Sequence, residues 1–187
     1  MRASWRPSKI GRFGVCALLA GGYGVAAIRP IADALRSRGN WVVSILGARE
    51  SRLLILEDEL RRASDVLYVA TDDGSAGIKG NVLVPLATAF DEWSPDRLLA
   101  VGSLPMMRAV SDYASERRVP AVVSLNPIML DGTGMCGACR VRVNDETHFA
   151  CVDGPEFDAA GIDFDDLAAR QLAFREFEQV AWGGSIA

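Results

Sequence analysis

Near its beginning the chain reads FGVCALLAGGYGVAAIRPIADALRSR, residues 13–38. The apolar run at 13–19 predicts a buried strand, and residues 20–24 form a glycine-rich turn. From residue 25 to 38 the apolar side chains recur at helical spacing, and Gly39-Asn40 ends that pattern as a helix C-terminus does. Together these segments predict a strand–turn–helix unit.

The same rhythm continues to residue 125. Further strands are predicted at 41–46, 66–70, 97–101 and 120–125, with helices at 51–63, 81–93 and 105–117. Strands that alternate with helices form βαβ units, whose parallel strands are covered by helices on both faces. The sequence therefore predicts an α/β fold with a five-stranded doubly wound parallel sheet of the nucleotide-binding kind. Cys16 lies in the middle of the first strand and is expected to be buried.

Ligands bind such sheets at the carboxyl ends of the strands, near the point where the strand order reverses. Eight residues are therefore candidates for cofactor binding: Gly21, Gly22, Gly24, Arg49, Thr71, Asp72, Asp73 and Gly102. The glycines either let the backbone approach a pyrophosphate or only form a tight turn, because the loop departs from the strict GxGxxG pattern.

For Arg49, Asp72 and Asp73, the sequence allows either a cofactor-binding role or a purely structural role. Arg49 pairs either with a 2′-phosphate or with Glu50 or Glu57, so the choice between NAD and NADP stays open. Asp72 and Asp73 either hold ribose or nicotinamide groups or cap the segment that follows them.

Composition bounds the class of protein. The 187 residues are 50% hydrophobic and 24% charged, with a net charge of −4, which is typical of one domain with an appendage. No basic patch with interleaved aromatic residues occurs, so nucleic acid is not an expected partner. The single histidine excludes a mechanism that needs two imidazoles, and we predict no catalytic acid–base residue.

Location is predicted from the cysteines and the apolar runs. Four cysteines, with Cys16 far from the rest, are typical of a reducing cytoplasm. No unbroken apolar stretch is long enough to span a bilayer, so no membrane is expected. The basic N-terminus followed by the apolar run at 14–20 imitates a signal peptide. Because that run continues as a patterned strand–turn–helix unit, a buried strand is favoured.

The other three cysteines lie together at Cys136, Cys139 and Cys151, which indicates a metal site. Two residues are candidates for the fourth ligand. His148 gives C-x2-C-x8-H-x2-C, which suits structural zinc. Asp131 stands where a cysteine would complete C-x4-C-x2-C-x11-C, the loop spacing of a plant-type iron–sulfur site.

Small residues around these cysteines favour iron over zinc. Gly132, Gly134, Gly137 and Ala138 let backbone N–H groups reach inorganic sulfides, which a zinc knuckle does not need. We therefore predict a [2Fe-2S] cluster. Residues 140–143 and 147–150, joined by 144–146, are predicted to form the hairpin that carries it.

Four parts follow from these patterns. Residues 1–11 are an irregular lead-in, 12–126 the NAD(P)-binding domain, 127–160 the [2Fe-2S] module, and 161–187 a C-terminal helix and tail. The terminal helix is predicted as one amphipathic segment at 163–178.

Several motifs in this chain resemble a known family. They are SILGAR at 44–49, LILEDE at 54–59, TDDGS at 71–75, PMM at 105–107, LNPIM at 125–129, DGTGMCGAC at 131–139 and FACVDGPEF at 149–157. The chain resembles the small electron-transferring flavoprotein subunit of NADH-dependent ferredoxin:NADP oxidoreductase, also called the beta subunit of sulfide dehydrogenase. It is also similar to the related electron-transfer subunit of dihydroorotate dehydrogenase. The resemblance covers residues 11–178.

The resemblance implies a set of cofactors and partners. It implies Asp131, Cys136, Cys139 and Cys151 as ligands of a [2Fe-2S] cluster, and the aspartate points to the ferredoxin:NADP branch. It further implies NAD(H) on the nucleotide domain and FAD as the flavin. A larger FAD and iron–sulfur flavoprotein subunit, similar to the small subunit of glutamate synthase, would be the partner in electron bifurcation, with ferredoxin as a further partner.

Two departures from the family affect the expectations. The first loop reads AGGYGVAA at 20–27, where the family has GGGxGxAP. Family members also begin with a flavin-binding β-barrel, and neither that barrel nor its Arg-x-Tyr-Ser/Thr motif occurs here. Three explanations are open: the gene is truncated, the barrel is on another polypeptide, or the protein works without the flavin. FAD binding by this chain alone is therefore not expected.

The sequence thus supports a main function and two alternatives. The main prediction is an oxidoreductase subunit that moves electrons between NAD(P)H, a flavin and a [2Fe-2S] cluster. The first alternative is the electron-transfer subunit of dihydroorotate dehydrogenase. The second is a non-catalytic nucleotide-binding protein with a structural zinc.

Overall fold

A computed structural model describes residues 8–181 of the chain. The strands are β1 (Val15–Gly21), β2 (Trp41–Ala48), β3 (Val66–Thr71), β4 (Ile78–Lys79), β5 (Arg97–Val101), β6 (Ala121–Ser124), β7 (Arg140–Val143), β8 (Glu146–Phe149) and β9 (Glu156–Asp158). The helices are α1 (Val25–Ser37), α2 (Glu57–Ala63), α3 (Leu83–Trp93), α4 (Leu104–Arg117), α5 (Ala150–Asp153), α6 (Phe164–Gln171) and α7 (Arg175–Ala181). The predicted lead-in at 1–11 and the tail extend beyond the described residues.

Seven strands form the main sheet, in the order β4-β3-β2-β1-β5-β6-β9. All neighbouring pairs run parallel except β6 and β9, which are antiparallel. All five predicted strands are present, but the predicted strand count was wrong, because β4 and β9 extend the sheet at its two edges. These edge strands have only two and three residues, too few to show a hydrophobic period.

The strand order changes direction between β1 and β5. From β1 the chain builds outward through β2 and β3, then returns to the other side of β1 to add β5 and β6. In a doubly wound sheet a crevice opens at this switch point, beyond the carboxyl ends of the strands.

The sheet is covered on both faces. Cys16, Leu18 and Ala20 pack with α1 and α2, whereas Ala17 and Leu19 pack with α3 and α4. Burial on both faces explains why β1 reads as a continuous apolar run. The predicted burial of Cys16 is confirmed, since its exposed fraction is 1%.

The three-cysteine segment packs on the α3/α4 face of the sheet. Its hairpin, β7 and β8, turns at Asn144 and Asp145, whose φ angles of 50° and 64° are those of a two-residue hairpin turn. The predicted hairpin is confirmed to within one residue. Cys139 and Cys151 belong to the same buried cluster as Leu19 of β1. Residues 156–158, placed by the sequence in the cluster module, pair with β6 at the edge of the main sheet.

Two helix predictions were wrong. The helix predicted at 51–63 is a short 3-10 turn followed by α2, because Leu56 has a positive φ of 53° and separates the two. The helix predicted at 163–178 is divided into α6 and α7. Phe164 and Leu167 bury α6 against the core, whereas α7 has no buried residue, so packing ceases to support a continuous helix after Gln171.

No helix in the described part of the chain is both long and apolar enough to cross a membrane.

Candidate functional site

A cavity of about 1130 Å³ lies at the switch point of the sheet. Its wall is formed by the carboxyl ends of β1, β2, β5 and β6 and by the segments that follow them. Six of the eight predicted cofactor residues line it: Gly21, Gly22, Gly24, Arg49, Asp72 and Gly102. Its volume is slightly above the range of about 300–1,000 Å³ found for most ligand pockets.

The glycines of the first loop let two strand ends approach each other closely. A Cβ on Gly24 would lie 2.1 Å from the carbonyl oxygen of Val101, at the end of β5. A Cβ on Gly21 would lie 2.4 Å from Sδ of Met106. A larger residue at Gly24 would have to displace backbone, whereas at Gly21 it would mainly displace the side chain of Met106. Helix α1 begins beside this loop without an acidic residue in its first turn, so its N–H groups give the cavity a positive end.

Arg49 lines the cavity, and its predicted alternative partners pair with other arginines. Glu50 pairs with Arg52 at 2.6 Å, and Glu57 pairs with Arg61 at 2.7 Å. Within residues 8–181, no carboxylate lies within 4 Å of the Arg49 guanidinium. The hydrogen bond and the charge of Arg52 lower the pKa of Glu50. The cavity thus has an unpaired cation at the end of β2.

Thr71 and Asp73 do not line the cavity. Thr71 Oγ1 donates to the carbonyl oxygen of Ala76 at 2.8 Å and accepts from the Ala76 N–H at 3.0 Å. Asp73 Oδ1 accepts from the N–H and the hydroxyl of Ser75, at 2.9 and 2.7 Å, and these bonds lower the pKa of Asp73. Both side chains shape the loop between β3 and β4.

Several lining residues were not among the sequence candidates. Tyr23 is 88% exposed at the mouth of the cavity, and Arg52, Asn81, Ser103 and Met106 form part of its wall. Tyr23 and Ser103 each adjoin a predicted glycine, which is a usable sequence signal. Arg52 and Asn81 reach the cavity from the segments that follow β2 and β4, and no local pattern marks them. Met106 reaches it from the first turn of α4, within the PMM motif at 105–107.

Two of the module's thiols lie side by side. Sγ of Cys139 and Sγ of Cys151 are 3.2 Å apart and buried, and this distance is too long for a disulfide bond, about 2.05 Å. Burial and the neighbouring Cys139 thiol raise the pKa of Cys151. The N–H of Cys151 points at Sγ of Cys139, at 3.5 Å. Cys136 is exposed, and its Sγ accepts from the N–H of Ala138 at 3.5 Å.

Asp131 is tied to Cys136 through the backbone. Its Oδ1 accepts from the N–H of Thr133 at 2.8 Å, and its Oδ2 from the N–H of Cys136 at 3.1 Å. These hydrogen bonds lower the pKa of Asp131 and keep it a carboxylate. Positive φ angles of 71°, 82° and 70° at Gly132, Gly134 and Gly137 allow the loop to wrap in this way.

His148 lies between two carboxylates, at distances longer than a hydrogen bond. Its Nε2 lies 3.8 Å from Glu146 and its Nδ1 lies 3.8 Å from Asp153. Its ring also packs against Phe157, with ring centroids 6.0 Å apart. Across the described residues, no three His, Cys, Asp or Glu side chains converge as a single metal ion would require.

The donor set fits an iron–sulfur cluster. Such clusters are held and tuned by soft thiols and by N–H groups directed at sulfur, and both are present here. One carboxylate adjoins them, and glycines with positive φ let the loop wrap. The chain thus combines a nucleotide-type cavity with an iron–sulfur loop on one α/β domain. Residues 126–163 match the family described as the iron–sulfur cluster binding domain of dihydroorotate dehydrogenase B.

Comparison with individual proteins confirms the family resemblance. The chain is 49% identical over 176 residues to a dihydroorotate dehydrogenase B (NAD(+)) electron transfer subunit homolog of Thermotoga maritima, covering 94% of this chain and 62% of that protein. It is 40% identical to the corresponding subunit of Streptococcus thermophilus, covering 75% of this chain and 54% of that protein. Its homologues are therefore electron transfer subunits of the dihydroorotate dehydrogenase B type.

A solved structure gives the same result. A chain in the structure of the NADH-dependent reduced ferredoxin-NADP oxidoreductase, which concerns flavin-based electron bifurcation, superimposes with a TM-score of 0.86 at 47% identity. The match covers 95% of this chain and 64% of that chain. This chain thus spans between 54% and 64% of the length of each of these three relatives.

Proposed function

We propose that this chain is the nucleotide-binding and cluster-binding part of an electron-transfer subunit, in a complex of the ferredoxin:NADP oxidoreductase or sulfide dehydrogenase type. The observation that carries the proposal is the continuity of its two sites. Leu125 and Asn126 line the cavity, and Asp131 follows only five residues later. At about 3.5 Å per residue, the first proposed cluster ligand lies at most about 18 Å along the chain from the cavity wall.

The proposed cluster is [2Fe-2S], with Asp131, Cys136, Cys139 and Cys151 as its ligands. The donors form two pairs. Asp131 accepts a hydrogen bond from the N–H of Cys136, and the thiols of Cys139 and Cys151 are 3.2 Å apart. Two pairs are what a cluster of two irons requires, with two protein donors on each iron. A single zinc ion would need four donors around one point.

The cavity is proposed to bind NAD(H) or NADP(H). The loop at 21–24 and the start of α1 would receive the pyrophosphate on backbone N–H groups. Arg49, at the end of β2, would meet a phosphate on the adenosine side; the pairing of Glu50 and Glu57 with Arg52 and Arg61 supports this role. Asp72 lines the same wall and would accept a hydrogen bond from a ribose hydroxyl.

A flavin completes the proposed path. Nicotinamide gives up two electrons together, whereas a [2Fe-2S] cluster takes one, and a flavin supplies the conversion between them. We propose FAD as that flavin and a larger FAD and iron–sulfur flavoprotein as the partner subunit, in the cytoplasm. The residues of this chain would position the cofactors and exclude water, with no acid–base residue among them.

The ligand set is tested by substituting the two competing fourth donors. We expect Asp131→Ala to lose most of the bound iron, because alanine supplies no donor, and His148→Ala to keep it. Asp131→Cys should retain iron, since a thiolate takes the place of the carboxylate. The measurement is iron per chain after anaerobic purification.

Asp131→Asn controls for the shape of the loop. The N–H groups of Thr133 and Cys136 donate to different oxygens of Asp131, so asparagine, with one side-chain oxygen, keeps only one of these two hydrogen bonds. It also lacks the negative charge of the carboxylate. If the role of Asp131 is ligation, this variant should lose iron although one of the two hydrogen bonds to the loop backbone is kept. Loss of iron in His148→Ala together with retention in Asp131→Ala would make the ligand assignment wrong.

A further inference from the structure

Two arginines contact the short segment between Cys136 and Cys139. Nη2 of Arg170, in the last turn of α6, donates to the carbonyl oxygen of Ala138 at 3.2 Å. Nη1 of Arg140 donates to the carbonyl oxygen of Gly137 at 3.4 Å. Both residues between the C-x-x-C cysteines are thus held by guanidinium groups from outside the loop.

Arg170 carries a charge without a matching anion. Within residues 8–181, neither Arg170 nor Arg140 has a carboxylate within 4 Å, whereas Arg108 on α4 pairs with Asp165 of α6 at 2.6 Å. Arg170 is only partly exposed, and its Nε is buried without a hydrogen-bond partner in the described structure. A partly buried cation of this kind calls for a neighbouring negative charge.

The position of Arg170 is fixed by the packing of α6. Leu167 is fully buried, and Asp163 caps the helix by accepting from the N–H of Asp166 at 2.9 Å. Next to Arg170, Gln171 donates to the carbonyl oxygen of Asn126 at 3.0 Å, on the wall of the cavity. The C-terminal end of a helix attracts cations by itself. Here, however, the guanidinium reaches across to the cluster loop.

The proposed cluster supplies the missing negative charge. Three thiolates and a carboxylate outweigh the positive charge of the two irons and two sulfides, so the cluster is anionic and becomes more so on reduction. We propose that Arg170 stabilises the reduced cluster and raises its reduction potential. The exposed Arg140 contributes to the same effect more weakly. This inference rests on the proposed function. One electron enters the cluster from the reductant, and no bond forms or breaks at the arginines.

The test is a redox titration of the cluster, followed by visible absorption with mediator dyes. We expect Arg170→Gln to lower the equilibrium constant for reduction about tenfold, which is about 59 mV for one electron. Arg170→Lys keeps the charge and should change the equilibrium constant for reduction less than about threefold. Arg140→Gln should also change it less than about threefold, because solvent screens the charge of the exposed Arg140. Arg61→Gln removes a charge from α2, on the opposite face of the sheet, and should match the wild type.

Each outcome decides the proposal. The proposal is overturned if the equilibrium constant for reduction in Arg170→Gln stays within threefold of the wild-type value. Equal shifts in Arg170→Gln and Arg170→Lys would also overturn it, because they indicate an effect of packing rather than of charge. If Arg170→Gln fails to hold the cluster, retention of iron by Arg170→Lys supports the charge role, and loss of iron in both variants overturns it. An iron-free wild type would overturn the proposed function as well, whereas a cluster indifferent to Arg170 overturns this inference alone.

Discussion

At the scale of single residues, Gly24 decides whether the first loop can close against the end of β5. A Cβ there would lie 2.1 Å from a backbone oxygen, which cannot rotate away as a side chain can. We expect Gly24→Ala to weaken NADH and NADPH binding at least about tenfold and to cost about 1–3 kcal/mol of stability. Both follow from a displaced loop, and both are measured on one preparation, by nucleotide fluorescence titration and by denaturant unfolding.

Gly39, just beyond the other end of α1, provides the matched control. Its φ of 78° makes alanine strained there, but a Cβ would meet nothing within 4 Å and the residue lies outside the cavity. Gly39→Ala should therefore lose stability and keep its nucleotide affinity. Equal affinities in Gly24→Ala and the wild type would show that this loop does not form the nucleotide site.

Cys16 is a buried thiol in the middle of β1, whereas Cys136 is exposed. Burial raises the pKa of this thiol to about 11, so it stays protonated and unreactive near neutral pH. In the reduced, metal-free protein at pH 8 we expect iodoacetamide to modify the exposed Cys136 first and Cys16 only on unfolding. Peptide mass spectrometry gives the order, and early labelling of Cys16 would contradict the buried position of β1.

The same shift has a consequence for stability. Because the pKa of Cys16 is higher in the folded protein than its ordinary value of 9.0, the protonated thiol favours the fold below pH 9. That contribution is lost as the pH rises from 9 to about 11. Cys16→Ala should therefore remove part of the loss of stability in this alkaline range.

At the scale of elements, α6 joins the two sites, since it contacts the cavity wall through Gln171 and the cluster loop through Arg170. Leu167 holds this helix with no exposed surface. Leu167→Ala should cost about 2–5 kcal/mol in denaturant unfolding, from lost burial and the cavity left behind. Leu172→Ala, just past the helix and 55% exposed, should stay within about 0.5 kcal/mol of the wild type.

The spacing of apolar residues predicts which helices and strands exist better than it predicts where a helix is interrupted. The five long strands and the hairpin were predictable, because burial on two faces and the turn at Asn144-Asp145 leave local signals. The interruptions at Leu56 and after Gln171 were not, since the apolar spacing continues across both. There the tertiary contacts decide, and Leu53, Leu56 and Phe177 stay exposed although they fit a helical stripe.

At the scale of the whole molecule, the strand order brings distant segments to one cavity. The rule that ligands bind at strand ends placed six of the eight predicted residues there. It could not separate Asp72, which lines the wall, from Thr71 and Asp73, whose hydrogen bonds close their own loop. The contact of Arg170 with Ala138 joins positions 32 residues apart, and only the packing of α6 creates it.

The most direct test of the account is the metal content of the whole chain, purified without oxygen. We predict about two irons and about two acid-labile sulfides per chain, no stoichiometric zinc, and a visible absorption that bleaches when dithionite is added. These values would show that the chain holds a [2Fe-2S] cluster. A colourless protein with one zinc and no sulfide would contradict the account and leave a nucleotide-binding domain with a structural metal.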